Sequence, residues 1–239
     1  MDRNALVTGA DRGLGYALTE GLLNQGWQVF AGQYLPDWPE LARLAGKFPD
    51  TLHRISLDVG SMDSVRAAAQ AVAAITDHLD LLINNAGVYS PNASRSIRDG
   101  QDYREIHRMY DINALGPLRV VEAFLPLMDR GSLKRLCFVS SEAGCIQRSK
   151  RKDTYGYTMS KVALNMAVKT LFNHLHPEGY TFRLYHPGWM KSYMSGTKNM
   201  KAAIEPAESA VKALPLFLDA HENEDRLVLI DNQGNEWPW

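Results

Sequence analysis

Short apolar runs alternate with longer segments of helical periodicity along this chain, and few architectures satisfy that order. Strand candidates are Ala5–Thr8, Gln28–Gln33, Leu52–Leu57, Leu79–Asn84, Leu133–Ser140, Thr181–Tyr185 and Arg226–Ile230. Between them the periodicity predicts helices over Leu14–Gln25, Trp38–Lys47, Ser61–Ile75, Asp102–Met128, Thr158–His174 and Pro206–Leu218. Strands apolar on both faces must be covered on both faces, and a helix after each strand is the connection a parallel sheet needs. The order predicts a doubly wound α/β sheet of about seven strands. No linker, repeat or charge block divides the chain, so residues 1–239 read as a single domain.

Composition narrows the function classes. The 239 residues are 45% hydrophobic with a net charge of −1, so no overall basic field draws the chain to nucleic acid or to an anionic membrane. No segment reaches the roughly 20 apolar residues that span a bilayer. Met1 to Ala10 has no long apolar stretch and runs into a glycine turn. Cys137 and Cys145 lack metal-ligand spacing, and without a secretory signal an oxidised pair is not expected. These features predict a cytoplasmic protein acting on a small molecule.

Two motifs carry chemistry. The first strand runs into Thr8-Gly9-Ala10-Asp11-Arg12-Gly13-Leu14-Gly15, which opens a helix. Gly9 permits a tight turn, Gly13 lets the backbone approach a pyrophosphate, and Gly15 lets the helix sit close to the sheet. Free amide groups at the helix start then meet phosphate charge. NAD enzymes usually place an acid at the end of the second strand for the ribose 2′-hydroxyl, and here that strand ends Gly32-Gln33-Tyr34. The second motif is Tyr157-Thr158-Met159-Ser160-Lys161. Residues four apart share a helix face, so phenol and ammonium can meet one ligand. A nearby cation would depress the tyrosine pKa toward working pH, and Tyr157 could then give a proton to a carbonyl oxygen or take one from an alcohol. Tyr155 is excluded by spacing, because its fourth residue onward is Met159.

With these motifs the chain resembles the short-chain dehydrogenase/reductase family over essentially its full length. The resemblance implies a Rossmann-type sheet, a nicotinamide cofactor and a carbonyl or alcohol substrate. It implies that Asn85, Ala86 and Gly87, within Asn84-Asn85-Ala86-Gly87, lie beside the adenosine ribose. It puts Asp58 and Val59 at the adenine ring, although Asp58 could equally cap the helix starting near Ser61. Arg12 stands where many NADP-using relatives carry a basic residue, so NADP is favoured and NAD remains an alternative. Lys161 would hydrogen-bond the nicotinamide ribose. Pro187, Gly188, Met190 and Ser192 fall in the segment implied to contact the carboxamide, and His186 before them reads as structural. Asn113 matches the family's helix asparagine that positions the lysine through water; asparagine is mildly unfavourable inside a helix.

The resemblance assigns the substrate-oxygen hydroxyl to Ser141, the second serine of Ser140-Ser141, with Ser140 as the fallback. Ser141 stands sixteen residues before Tyr157, a few more than is usual in the family. The run Arg148-Ser149-Lys150-Arg151-Lys152-Asp153 looks like an insertion that absorbs the excess, either as a solvated loop or as a recruiter of anionic substrate. Within the family the likeness is to C-factor and sniffer-like carbonyl reductases. Family members often form homodimers or homotetramers through the helices near Asp102–Met128 and Thr158–His174, and some are monomers.

Loops Ser90–Gly100 and Gly188–Pro206 follow strand ends and overlook the expected ligand crevice. The second holds Trp189, Met190, Tyr193, Met194 and Met200, as a lid over an apolar substrate or as anchors to the core. Two other function classes bear weighing. A cofactor-binding sensor would need no proton donor, so the set Asn113, Ser141, Tyr157 and Lys161 counts against it. A nucleotide-sugar epimerase or dehydratase usually carries a substantial C-terminal substrate domain, and only short elements follow Tyr185.

Overall fold

The apolar runs form strands because their side chains alternate between two buried faces. Leu6, Phe30, Leu82, Leu136 and Phe138 enter one core, while Val7, Val29, Ala31, Ile83 and Cys137 enter the other. The computed structural model describes residues 3–221 and 223–239. One sheet has the order β3-β2-β1-β4-β5-β6-β7-β8, from β1 (Asn4–Val7), β2 (Gln28–Gln33), β3 (Leu52–Ser56), β4 (Leu81–Asn84), β5 (Arg135–Val139), β6 (Thr181–His186), β7 (Leu229–Asp231) and β8 (Glu236–Trp237). Helices α1 (Gly13–Asn24), α2 (Pro39–Lys47) and α7 (Pro206–Leu218) cover one face through Leu18, Leu44 and Phe217. Helices α3 (Met62–Ala73), α5 (Gly116–Met128) and α6 (Tyr155–Leu175) cover the other through Val65, Phe124 and Val168.

Strands β1 to β7 pair in parallel, as the alternation predicts, and β8 adds an antiparallel eighth strand. Two residues are too few to register as periodicity. A side chain holds them instead: the Asp231 carboxylate accepts from the backbone of Gln233 and Asn235 and from Trp237 Nε1 at 2.9 Å. The predicted helix Asp102–Met128 divides into α4 (Tyr103–Tyr110), a π-helical turn over Asp111–Leu115, and α5. Asn113 occupies that turn, its side chain bonded outside the helix. Helix α6 begins three residues earlier than Thr158, after Thr154 in the left-handed region at φ 61°.

The strand order reverses between β1 and β4, which opens a crevice beyond their carboxyl ends. The Thr8 hydroxyl accepts from the backbone N–H groups of Asn85 and Ala86, both at 3.0 Å, and Asn85 Nδ2 donates back to the carbonyls of Thr8 and Gly9. Two glycines make this closeness sterically feasible. Gly9 has φ +64°, and a Cβ on Gly15 would lie 2.2 Å from the Gly9 carbonyl oxygen. Gly15 therefore packs α1 against the turn and Asn85, more closely than against the sheet itself. Gly15→Ala should cost about 1–3 kcal/mol of stability through overpacking. Thermal unfolding should register it as a midpoint lower by about 2–10 °C; an unchanged midpoint would refute the tight-contact account.

At the opposite end of the sheet, buried Arg183 holds Glu224 in a bidentate pair with both N–O distances 2.6 Å. Burial alone would raise the Glu224 carboxyl, but Arg183, the His221 N–H and Arg135 outweigh it and hold the pKa at about 2. A depressed carboxylate stabilises the fold above its unfolded pKa, near 4.5, and loses that contribution as pH falls toward 2. Glu224→Gln should lower stability at pH 7 and flatten the acid limb between about pH 4.5 and 2. Urea midpoints measured across that range test it, and an unaltered acid limb would contradict the pairing.

Candidate active site

The crevice holds a cavity of about 440 Å³ that runs from the glycine turn to the first turn of α6. Gly9, Asp11, Arg12, Gly13 and Leu14 line one end. Gly13 has φ +62° and a Cβ there would meet no protein atom within 4 Å, so the backbone faces the cavity directly. Helix α1 starts without a side-chain cap and without an acid in its first turn, leaving N–H donors for an anion. A pyrophosphate fits this cradle. Asn85, Ala86 and Gly87 line the next stretch with Asp58 and Val59. The helix near Ser61 is capped by Ser61 itself, whose hydroxyl accepts from the Ser64 N–H, so Asp58 does not cap it. Asp58 Oδ1 accepts instead from the Gly60 N–H at 2.8 Å.

Some of the expected binding residues act behind the surface. Thr8 and Gly15 are buried and shape the turn, while Gly188 (φ +80°) packs against Ile204 and Asn232. Asp11 lines the cavity, but its carboxylate accepts from the backbone N–H groups of Tyr34 and Leu35. That acid is only 4% exposed and ties the glycine turn to the end of β2. Arg12 is half-buried with its guanidinium 4.8 Å from the Trp38 ring and 5.9 Å from the Tyr193 ring. Among the described residues it forms no ion pair, and β2 ends beside it without an acid.

The other end is chemical. Tyr157 lines the cavity from the first turn of α6, hydrogen-bonded to Ser141, with its ring edge against Tyr89. Burial pushes its phenol up to about 12; the Ser141 hydrogen bond and Arg151 pull the other way and lose. The expected depression by Lys161 is therefore reversed. Lys161 Nζ lies 5.9 Å from the Tyr157 ring centroid and donates to the Val139 carbonyl at 3.0 Å. It is 4% exposed, and burial brings its ammonium down to about 8. Ser141, continuing from β5, also accepts from the Ala143 N–H. Ser140 borders the cavity too, but its hydroxyl donates to Asn165 Oδ1 at 2.6 Å, which leaves Ser141 as the hydroxyl turned to Tyr157.

Asn113 lies off the cavity, fully buried. Its Oδ1 accepts from the Val88 N–H at 2.8 Å, and its Nδ2 donates to the Val88 carbonyl and to Ser160 Oγ. It clamps the segment after β4 to the residue preceding Lys161. That arrangement makes it a positioning residue, and a π-turn at a functional site is a recurrent way to turn such a side chain out of the helical ladder.

Pro187, Met190 and Ser192 line the cavity, and Tyr193 and Met194 continue that wall. The Met194 carbonyl accepts from the Tyr89 N–H at 3.2 Å. Trp189 and Met200 point outward, 61% and 66% exposed. So the loop is partly lining and partly surface. Sequence reasoning missed Tyr89, Val88 and Leu35 in the cavity wall. Tyr89, two residues beyond Gly87, was the nearest to a signal. His186 packs edge-on against Trp237, consistent with a structural role. Among the described residues no cluster of three or more metal-type ligands occurs, and no helix is long and apolar enough to cross a membrane. Cys137 and Cys145 are free and buried.

Known proteins share this arrangement. The family profile described as short chain dehydrogenase matches residues 3–203. C-signal of Myxococcus xanthus is 39% identical over 164 residues, covering 69% of this chain and 95% of that protein. The crystal structure of NADPH-bound carbonyl reductase from chicken fatty liver superposes with a TM-score of 0.86 at 29% identity, covering 100% of this chain and 99% of the other. Carbonyl reductase Sniffer of D. melanogaster superposes with a TM-score of 0.86 at 25% identity over 100% of both chains. From the glycine turn to the tyrosine–lysine pair, this chain belongs to the short chain dehydrogenase family.

Proposed function

We propose that this chain is an NADP-dependent oxidoreductase interconverting a carbonyl compound and its alcohol, with Tyr157 as general acid and base. The observation that carries the reading is the Tyr157 phenol lining the cavity, hydrogen-bonded to Ser141, with Lys161 buried one turn further along α6. A bound nicotinamide dinucleotide supplies the hydride to the carbonyl carbon in reduction and accepts it in oxidation. Tyr157 gives the matching proton to the carbonyl oxygen. A phenol held near 12 stays protonated at neutral pH, the state that reduction needs. Ser141 donates to the same oxygen as charge develops on it. Lys161 returns a proton toward the phenol and holds the ribose side of the cofactor. Asn113 keeps the helix carrying both residues in register with the Val88 segment.

The cofactor assignment follows the cavity from end to end. Gly9, Gly13 and Leu14 cradle the pyrophosphate, Asp58 and Val59 border the adenine, and Asn85, Ala86 and Gly87 border its ribose. Pro187, Met190 and Ser192 form the carboxamide end, with Gly188 shaping the turn behind them. Arg12 favours NADP over NAD because it offers a guanidinium with no ion pair where a 2′-phosphate would sit, while the adjoining acid, Asp11, is engaged with backbone. The NADPH-bound chicken carbonyl reductase supports the same choice.

Titration with NADPH and NADH, followed by nicotinamide absorbance against aldehydes, ketones and quinones, tests the reading. Substrate-dependent NADPH oxidation supports it; NADPH binding with no oxidation across the panel favours a sensor instead. Tyr157→Phe should lower kcat by about 10²–10⁴ while NADPH affinity stays within about twofold. Undiminished carbonyl reduction by that variant would remove Tyr157 from the chemistry. Arg12→Ala should weaken NADPH by about tenfold or more and leave NADH nearly unchanged, because only the 2′-phosphate contact is lost. Equal losses for the two cofactors would move the discrimination elsewhere.

A further inference from the structure

The basic insertion is exposed over residues 146–152, yet it has a definite place beside the site. It walls a second, open cavity of about 770 Å³ lined by Glu142, Gln147, Arg148, Lys150, Arg151 and Trp237, among others. Glu142 directly follows Ser141, so this cavity begins where the catalytic hydroxyl ends. Its lining side chains include three cations and one carboxylate. Arg151 pairs with Glu142 in a close contact, which uses up that carboxylate. Arg148 and Lys150 form no ion pair among the described residues. The Arg148 guanidinium lies 5.1 Å from the Trp237 ring centroid.

The floor of the cavity is held firmly. Trp237 Nε1 donates to Asp231 at 2.9 Å, and its ring packs edge-on against His186, one residue before Pro187 of the cofactor cleft. The Gln147 N–H donates to the Trp239 carbonyl, which pins the insertion to the same tail. Arg151 also bears on Tyr157, where its charge opposes the rise of the phenol pKa. A flat aromatic surface with two unneutralised cations beside it is the chemistry that receives a planar or apolar body ending in an anion.

We infer that the Arg148–Lys150–Trp237 cavity is a substrate subsite, and that the preferred carbonyl substrates carry a carboxylate on the side away from the reacting carbon. Arg148 and Lys150 contact the carboxylate, and Trp237 supports the body that joins it to the carbonyl. The inference rests on the oxidoreductase reading of the neighbouring site and names its substrate class. It gives the extra residues between Ser141 and Tyr157 a purpose: they place Arg148 and Lys150, which form no ion pair among the described residues, around a cavity that starts at Glu142.

The test compares 4-carboxybenzaldehyde with its methyl ester, which keeps the ring and aldehyde but loses the charge. With NADPH, the acid should exceed the ester in kcat/KM by about tenfold at low salt, and the preference should shrink as ionic strength rises. In Arg148→Gln/Lys150→Gln the preference should fall to about one, through KM, with the ester unaffected and the thermal midpoint unchanged. A wild-type ratio of one or less, or an undiminished ratio in the double variant, overturns the subsite. Terephthalate titrated calorimetrically onto the protein with NADP⁺ gives a second readout that needs no turnover. Binding about tenfold weaker in the double variant supports the subsite, and no binding or equal binding overturns it. Terephthalate binding without reduction of either aldehyde would count against the oxidoreductase reading while upholding the anion subsite. Reduction of the ester without discrimination would remove only the subsite.

Discussion

The bracket between Thr8 and the Asn85-Ala86 segment is the constraint on which the rest of the site depends. At the point where the sheet reverses direction, the chain leaving β1 and the chain leaving β4 must turn apart to open a crevice, yet stay in contact to keep its shape. One hydroxyl accepting two N–H groups, and one carboxamide returning to two carbonyls, meet both demands. Thr8 is buried and the bracket's four bonds are part-buried, so breaking one would leave a polar group with reduced access to water. Gly9 and Gly15 are the steric condition for it, since a side chain at either would enter the space the bracket occupies.

From that bracket the two halves of the site diverge in character. The dinucleotide half is largely backbone: an uncapped helix start, turns with positive φ, and Asp11 holding the β2 end in place. The tyrosine–lysine half is made of side chains, with Lys161 and Ser141 buried and Tyr157 half-buried at the cavity wall. Tyr157 and Lys161 are perturbed in opposite directions by the same cause, because burial penalises the charged form of each and so raises a phenol and lowers an ammonium. A phenol near 12 and an ammonium near 8 form a pair in which the proton rests on the tyrosine at neutral pH. Asn113 joins the halves. Its side chain bonds both the Val88 segment that follows β4 and Ser160 beside Lys161, and the local helix widens into a π-turn there.

Beyond the cleft, the fold adds structure at its edge. The insertion after Ser141, the Asp231-centred turn and β8 meet around Trp237, and together they form a wall that the central sheet does not supply. Family membership speaks to the sheet and the cleft; this wall is built from Glu142, residues 147–151 and Trp237, beside them.

Much of this was legible in the linear order of residues. The seven parallel strands, the glycine turn and the tyrosine–lysine spacing are local patterns, and each follows from periodicity or from residues within one turn of a helix. The resemblance pointed to Asn113 and Ser141 and to segments that the structure brings around one cavity. Other features depend on partners distant in sequence. Whether Asp58 or Ser61 caps α3, which serine faces Tyr157, and that Asp11 serves the backbone of Tyr34 and Leu35 are decided by contacts across the fold. The two-residue β8 depends on a side-chain-centred turn that has no periodicity to read. The direction of the Tyr157 shift lies outside the linear order for the same reason. Four-residue spacing states that a cation is near, but only the packed structure determines how completely water is removed from the phenol, and here desolvation outweighs charge.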